Sequence, residues 1–171
     1  MNKLQILKNK ILNLDDLLNE IYKWRENNEK IVFTNGCFDL IHVGHIEYLA
    51  KASDLGNKLI IGLNTDDSVK RLKGENRPIL DQKARAETIA ALFFVDAVIF
   101  FDEDTPYQLI KAIKPDILVK GDDYKIDDIV GADIVKSYGG VVETIPLVQG
   151  YSTSKIIDKI VNAKTPAEAK K

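Results

Sequence analysis

Apolar residues along the chain fall into two regimes, short unbroken runs and runs spaced by three or four. Ile31-Val32-Phe33, Leu59-Ile60-Ile61-Gly62-Leu63, Ala97-Val98-Ile99-Phe100-Phe101, Ile117-Leu118-Val119 and Val141–Ile145 are continuous, as expected of strands covered on both faces. Between them the spacing turns helical. Leu14, Leu17, Leu18, Ile21 and Trp24 predict an amphipathic helix ending near Asn27-Asn28, with Asn13 as N-cap and Asp16 three residues on. Ile46, Leu49, Ala50 and Ser53 predict the core face of a helix from Gly44 to Leu55, stopped by Gly56. A short helix is predicted toward Leu72, and another over Asp81–Leu92 with Ala84, Thr88, Ile89 and Leu92 at core spacing. Thr105–Ile113 follows, with Pro106 in an allowed first-turn position, and then a helix through Ile134 and Val135. The last helix opens at Gly150-Tyr151-Ser152-Thr153-Ser154 and presents Ile156, Ile157, Ile160 and Val161 as its core face. Leu4, Ile6, Leu7, Ile11 and Leu12 predict a further short helix in an N-terminal packing arm.

Five strands alternating with helices predict an α/β fold: a doubly wound, five-stranded parallel sheet with helices on both faces. The division expected is a helical arm over 1–29, one domain over 30–163, and a disordered tail over 164–171, where K-T-P-A-E-A-K-K has no apolar pattern. In such sheets ligands bind beyond the carboxyl ends of the strands. The polar loops after Phe33, Leu63, Val119 and Ile145 all lie there.

Composition narrows the function. The 171 residues carry a net charge of −2, which argues against a general nucleic-acid binder. One cysteine cannot form an internal disulfide and fits a reducing compartment. No apolar run reaches the length of a membrane span and no signal-peptide core precedes the first charges, so the expected location is cytoplasmic.

The chemistry concentrates in T-N-G-C-F-D-L-I-H-V-G-H, from Thr34 to His45. A buried strand ends, a loop carrying two glycines and both histidines turns, and a helix begins. Loop N–H groups, the free N–H groups of a helix start and its dipole converge on one place, which is how an anion is held. His42 and His45 straddle that helix start and can lean on the same phosphate. Two alternatives stay open here: a histidine metal pair, for which no further ligand set is evident, and two histidines that merely cap the helix.

The H-x-G-H element after a strand, with G-x-F-D upstream, resembles the nucleotidyltransferase superfamily that includes cytidylyltransferases and class I aminoacyl-tRNA synthetases. T-N-G-C-F-D-L-I-H-V-G-H, then R-L-K-G-E-N-R-P, then V-K-G-D-D-Y, then G-Y-S-T-S-K-I-I together resemble the heptose 1-phosphate adenylyltransferase family, from about Ile31 to Ile160. The resemblance implies a Rossmann-like nucleotidyltransferase fold. It also implies transfer of AMP from ATP, accompanied by Mg²⁺, to D-glycero-D-manno-heptose 1-phosphate, giving ADP-heptose and pyrophosphate for lipopolysaccharide core biosynthesis. A homodimer, and a separate sugar kinase supplying the sugar phosphate, are implied in the same way. No covalent intermediate is expected, so the catalytic burden is positioning and charge stabilisation.

On that resemblance, His42, His45 and Lys120 would carry catalysis. Asn35, Gly36, Cys37 and Phe38 would line the phosphate cradle, and Gly44 would let the nucleotide approach. Asp39 would orient the loop or lie near the metal-bound triphosphate. Ser152 and Thr153 suit the β- and γ-phosphates, with a plain N-cap as the alternative for Ser152. Gly121 stands beside Lys120, and Asp122 suits a ribose hydroxyl, against a simple solvated turn. Lys73 and Arg77 would close over the phosphates unless they only form a solvated basic loop. Arg85 would reach a phosphate or pair on the surface. Cys37 has no evident base and is not expected to be a nucleophile.

One departure bears on the base. Leu147-Val148-Gln149-Gly150-Tyr151-Ser152-Thr153 stands where cytidylyltransferases of the superfamily carry R-T-E-G-I-S-T, so their arginine is missing. Three competing readings remain: a cytidylyltransferase acting on glycerol 3-phosphate or another phospho-alcohol, a non-catalytic nucleotide-binding module, and a nicotinamide oxidoreductase. The last lacks G-x-G-x-x-G after the first strand.

Overall fold

The computed structural model of the chain describes residues 2–163, so the expected disordered tail over 164–171 lies outside the described residues. Strands β1 (Ile11–Leu12), β2 (Ile31–Gly36), β3 (Lys58–Asn64), β4 (Ala97–Phe101), β5 (Ile117–Gly121) and β6 (Val141–Ile145) form one sheet. Its order is β1-β4-β3-β2-β5-β6, and every pairing is parallel. The helices are α1 (Lys3–Lys8), α2 (Leu14–Glu26), α3 (Val43–Ser53), α4 (Asp66–Lys73), α5 (Gln82–Ala90), α6 (Tyr107–Ile113), α7 (Ala132–Ser137) and α8 (Thr153–Val161).

The five expected strands are present, and a sixth corrects the count. Ile11 and Leu12 pair with Val98 and Ile99 at the sheet edge, and the Val98 N–H donates to the Lys10 carbonyl (2.8 Å). A two-residue strand has no periodicity to read. The helix expected around it stops at Lys8, with Asn9 as its C-cap. The arm therefore contributes to the sheet that the domain builds.

Alternation along the strands feeds two cores. Ile31, Phe33 and Ile60 face one layer with Leu17 and Ile21 of α2, Leu109, Ile110 and Ile113 of α6, and Val135 of α7. Val32, Leu59, Ile61 and Leu63 face the other, with Tyr48, Leu49 and Ala52 of α3 and Ala86, Ile89 and Ala90 of α5. Asn13 caps α2 as expected, its side chain accepting from the Asp16 N–H.

Three expected helix faces are rotated. On α3 the buried residues are Gly44, Tyr48, Leu49 and Ala52, while Ile46 is exposed. On α5 they are Arg85, Ala86, Ile89 and Ala90, while Thr88 is exposed and back-bonds to the Ala84 carbonyl (2.8 Å). On α8 no residue is buried, and Ile160 and Val161 are 65% and 76% exposed. Apolar spacing locates a stripe, but the neighbour it lies against decides which of its edges is covered.

Chain order positions the site. From β2 the chain builds outward to β3 and β4, then crosses to the other side of β2 for β5 and β6. At that reversal the loops diverge and leave a crevice over the end of β2.

Candidate active site

A cavity of about 600 Å³ occupies that crevice. Asn35, Gly36, Cys37, Phe38, Asp39, His42, Gly44, His45, Lys73, Arg77, Lys120, Gly121, Ser152 and Thr153 all line it. Arg85 and Asp122 do not.

The loop from β2 into α3 forms its floor. His42 takes the N-cap position of α3 with extended backbone, yet its ring makes no capping hydrogen bond, which removes the capping alternative for it. The two imidazoles stack instead, with centroids 3.8 Å apart and planes 18° from parallel. Their Nδ1 atoms and Asn35 Oδ1 are buried without a hydrogen-bond partner among the described residues. Buried polar atoms are normally paired. Three orphans on one cavity mark where a ligand would supply the partners.

Burial lowers the pKa of both rings. For His45, burial and then the nearby His42 outweigh a hydrogen bond to the Leu40 backbone and bring it to about 4, so it is neutral at pH 7. Phe38 packs its ring edge-on to His45 (5.3 Å) with a positive φ of 43°. A phenylalanine there is strained by about 1 kcal/mol or more and needs the surroundings to hold it.

Two buried charged groups do the holding, and both revise expectations. Asp39 accepts from the N–H groups of Ile79 (2.8 Å) and Leu80 (3.0 Å) and from Arg77 Nε (2.6 Å). Burial alone would raise its pKa, but those hydrogen bonds and Arg77 outweigh it and leave the carboxyl below its usual range. Asp39 thus orients the loop, and its oxygens are committed to that task. Arg77 lines the cavity already tied to Asp39, while Lys73 lines it from the exposed end of α4.

Arg85 is corrected outright. It is fully buried and reaches neither a phosphate site nor the surface. Its guanidinium donates to the carbonyls of Cys37 (2.7 Å), Asn64 (2.8 Å) and Leu80 (3.1 Å) and to Asp66 Oδ1 (2.7 Å). It staples the loops after β2 and β3 to the start of α5 from behind. The Cys37 thiol is raised in pKa by burial, against the nearby Lys73, Arg85 and Arg77, which leaves it protonated at pH 7.

The opposite wall comes from β5 and α8. Lys120 Nζ donates to the Asn35 carbonyl (3.3 Å) and lies 5.8 Å over the Tyr124 ring. Burial pulls its pKa down to about 8 against the attraction of Asp123. A Cβ on Gly121 would meet Asp123 Oδ1 at 2.6 Å and Leu147 at 3.1 Å, so the Asp123 carboxylate packs directly over the glycine. Asp122 is corrected by one residue: it turns away and accepts from the Leu147 N–H (3.2 Å), and Asp123 faces the cavity. Ser152 does cap α8, accepting from the Lys155 N–H (3.2 Å), and also lines the cavity, while Thr153 Oγ1 donates to the Leu40 carbonyl (3.4 Å).

The sequence reading missed Tyr48, Asn64, Asp123, Tyr124 and Tyr151. Tyr48 lies one helical turn beyond His45, a spacing that could have exposed it, and its hydroxyl bonds Thr34 in the interior (2.7 Å). Tyr151 brings its ring to 6.4 Å from His42, a contact with no signature in the chain order.

Among the described residues no three His, Cys, Asp or Glu side chains are grouped to hold a metal, and no helix is long and apolar enough to cross a membrane. A family model described as cytidylyltransferase-like matches residues 33–159. The bifunctional protein HldE of Geobacter metallireducens is 55% identical over 154 residues, 90% of this chain and 31% of that protein. HldE of Campylobacter jejuni serotype O:2 is 60% identical over 140 residues, 82% of this chain and 30% of that protein. The chain thus spans about a third of the length of these curated relatives. A solved lipopolysaccharide core biosynthesis protein from Thermoplasma volcanium superposes with a TM-score of 0.58 at 31% identity, over 72% of this chain and 99% of that one.

Proposed function

Because this chain belongs to the cytidylyltransferase-like family, we propose that it transfers AMP from ATP to a sugar 1-phosphate, D-glycero-D-manno-heptose 1-phosphate in the first instance. The observation that carries the reading is the set of unpartnered buried atoms on Asn35, His42 and His45, gathered beside Lys120 and the N-terminus of α8. The relatives, HldE proteins and a lipopolysaccharide core biosynthesis protein, support a place in lipopolysaccharide core assembly. Release of the ADP-sugar into lipopolysaccharide core assembly, supply of the sugar phosphate by a kinase, a homodimeric state and a cytoplasmic location belong to the same proposal.

A phosphate oxygen of the sugar attacks the α-phosphorus in line. The new O–P bond forms as the bond to the bridging oxygen breaks, and pyrophosphate departs. His42 and His45 are neutral, and a neutral imidazole N–H turned to the α-phosphate donates to it as charge develops. Lys120 holds the ammonium nearest the loop, and Lys73 and Arg77 face the rest of the polyphosphate. The α8 start, with Ser152 and Thr153, adds N–H and hydroxyl donors. Arg85 and Asp39 keep the loop in register with these groups.

Mg²⁺ fits this donor set as a companion of ATP. The ion needs only one or two carboxylates when phosphates supply its other ligands, and Asp123 is the wall carboxylate close to Lys120. Bound there, it would neutralise the departing pyrophosphate.

The decisive assay measures pyrophosphate release with Mg²⁺ and heptose 1-phosphate, comparing ATP with CTP, for wild type and His45→Ala. ATP-dependent release that falls on the order of 10²–10³-fold in the variant is the expected result. A preference for CTP would overturn the adenylyl assignment, and no release with either nucleotide would overturn the reaction.

A further inference from the structure

The lining of the cavity has two unlike parts. Toward β5 and β6 it offers rings and apolar surface from Tyr124, Leu147 and Tyr151. Where α6 and α7 begin, both packed in one core layer, it offers oxygen. Asp104 and Thr105 come from the loop between β4 and α6, and Asp128 from the short turn before α7. All three are exposed to the cavity mouth. Arg71 holds Asp104 in place: its Nε donates to one carboxylate oxygen (3.1 Å), and its Nη2 bonds the Asp102 carbonyl. The second oxygen of Asp104 is left to accept.

Ionised carboxylates only accept hydrogen bonds, and without a cation between them they repel phosphate. The polyphosphate therefore belongs with Lys73, Arg77, Lys120 and the histidines, away from this wall. A base needs a stacking face, which the tyrosine wall supplies. What remains is the neutral, hydroxyl-rich carbon skeleton of the acceptor. Sugar hydroxyls are donors that a fixed carboxylate can select, and a site built to bond them rejects analogues lacking them.

We infer that Asp104, Thr105 and Asp128 form the subsite that reads the hydroxyls of the acceptor, with Arg71 as the positioning residue for Asp104. The identity of the acceptor as a sugar 1-phosphate rests on the function proposed above. This wall sets acceptor specificity and leaves nucleotide binding alone.

The test uses Asp104→Asn and Asp128→Asn, singly and together, in the full chain, with thermal melts confirming that each folds. Calorimetric titration with heptose 1-phosphate and with inorganic phosphate is followed by steady-state KM values for the sugar phosphate and for ATP. The double variant is expected to lose about tenfold or more in sugar phosphate affinity, with phosphate affinity and KM for ATP held within about twofold. Arg71→Ala weakens sugar phosphate binding in the wild type and adds nothing in the Asp104→Asn background. Retained sugar phosphate affinity, or a KM for ATP that rises in step as a metal-binding role would require, overturns the subsite. Substitution-sensitive sugar phosphate binding without any turnover overturns adenylyl transfer and keeps the subsite. Turnover whose acceptor KM ignores the substitutions does the reverse.

Discussion

His42 and His45 stack face to face, 3.8 Å between ring centroids, in a site where burial disfavours charge on either. Protonating one ring would place a cation against its neighbour in poor solvent. With His45 lowered to about 4 from an ordinary 6.5, the unfolded chain binds the extra proton first as pH falls. His45 therefore favours the folded state fully above about 6.5, and that contribution is lost as pH drops toward 4. Urea midpoints for wild type should fall across that window, and His45→Asn should flatten the part of the slope due to this group.

Lys120 moves the other end of the pH range. Its pKa near 8 means that the ammonium facing the cavity discharges as pH climbs through that value. Bound polyphosphate favours the protonated form, so nucleotide binding at pH 8 should draw a proton from solution, and affinity should weaken above it. Titration in buffers of different ionisation enthalpy measures the proton directly. Lys120→Arg, charged throughout, should abolish the uptake, and Lys120→Met should lose most of the binding.

Arg85 is the largest fully buried side chain of the described residues, and all its partners belong to the site loops or the residues that back them. Arg85→Met leaves Asp66 and three carbonyls without their donor. A loss of about 3–5 kcal/mol is expected from a denaturant titration, the range for breaking a buried charged network by removing one partner. Turnover should fall further than stability explains, because the Cys37–Phe38 turn is freed.

Asp39→Asn keeps the shape and removes the charge. Two N–H donors and Arg77 then face a neutral amide, and one of them meets an NH₂ group. A cost of about 2–3 kcal/mol is expected for these charge-assisted bonds, read from chemical denaturation. Nucleotide affinity should change less than kcat, since Asp39 touches the loop and Arg77 and has no oxygen left for a ligand.

Gly44→Ala tests close approach. A Cβ there would sit 3.1 Å from Cε1 and Nδ1 of His42. The helix itself gains from alanine, so melting temperature should hold or rise while kcat drops on the order of tenfold or more, because the ring is displaced.

How far the site could be read depended on what each residue does. Residues that present a group to the cavity from a strand end or helix start were legible, since Asn35, His42, His45, Lys120 and Ser152 sit where topology puts ligands. Asp122 and Asp123 are neighbours in a turn, and the bond from the distant Leu147 N–H to Asp122 leaves Asp123 as the one that faces inward. Arg85 resembles any basic residue on a short helix. Its burial depends on three loops meeting behind it, and those contacts span up to 48 positions of sequence.

The amino-acid sequence by itself determined the alternation of buried strands and amphipathic helices, the parallel sheet, and the loop where phosphate chemistry belongs. Those follow from local causes: apolar runs, caps, glycines and the spacing of two histidines. Only the tertiary structure decided that a two-residue strand closes the sheet edge, which helix faces are covered, and that Asp39 and Arg85 hold the loop instead of touching a substrate. Such outcomes are set by contacts between distant segments, and burial turns the same charged side chain from a surface group into a structural clamp.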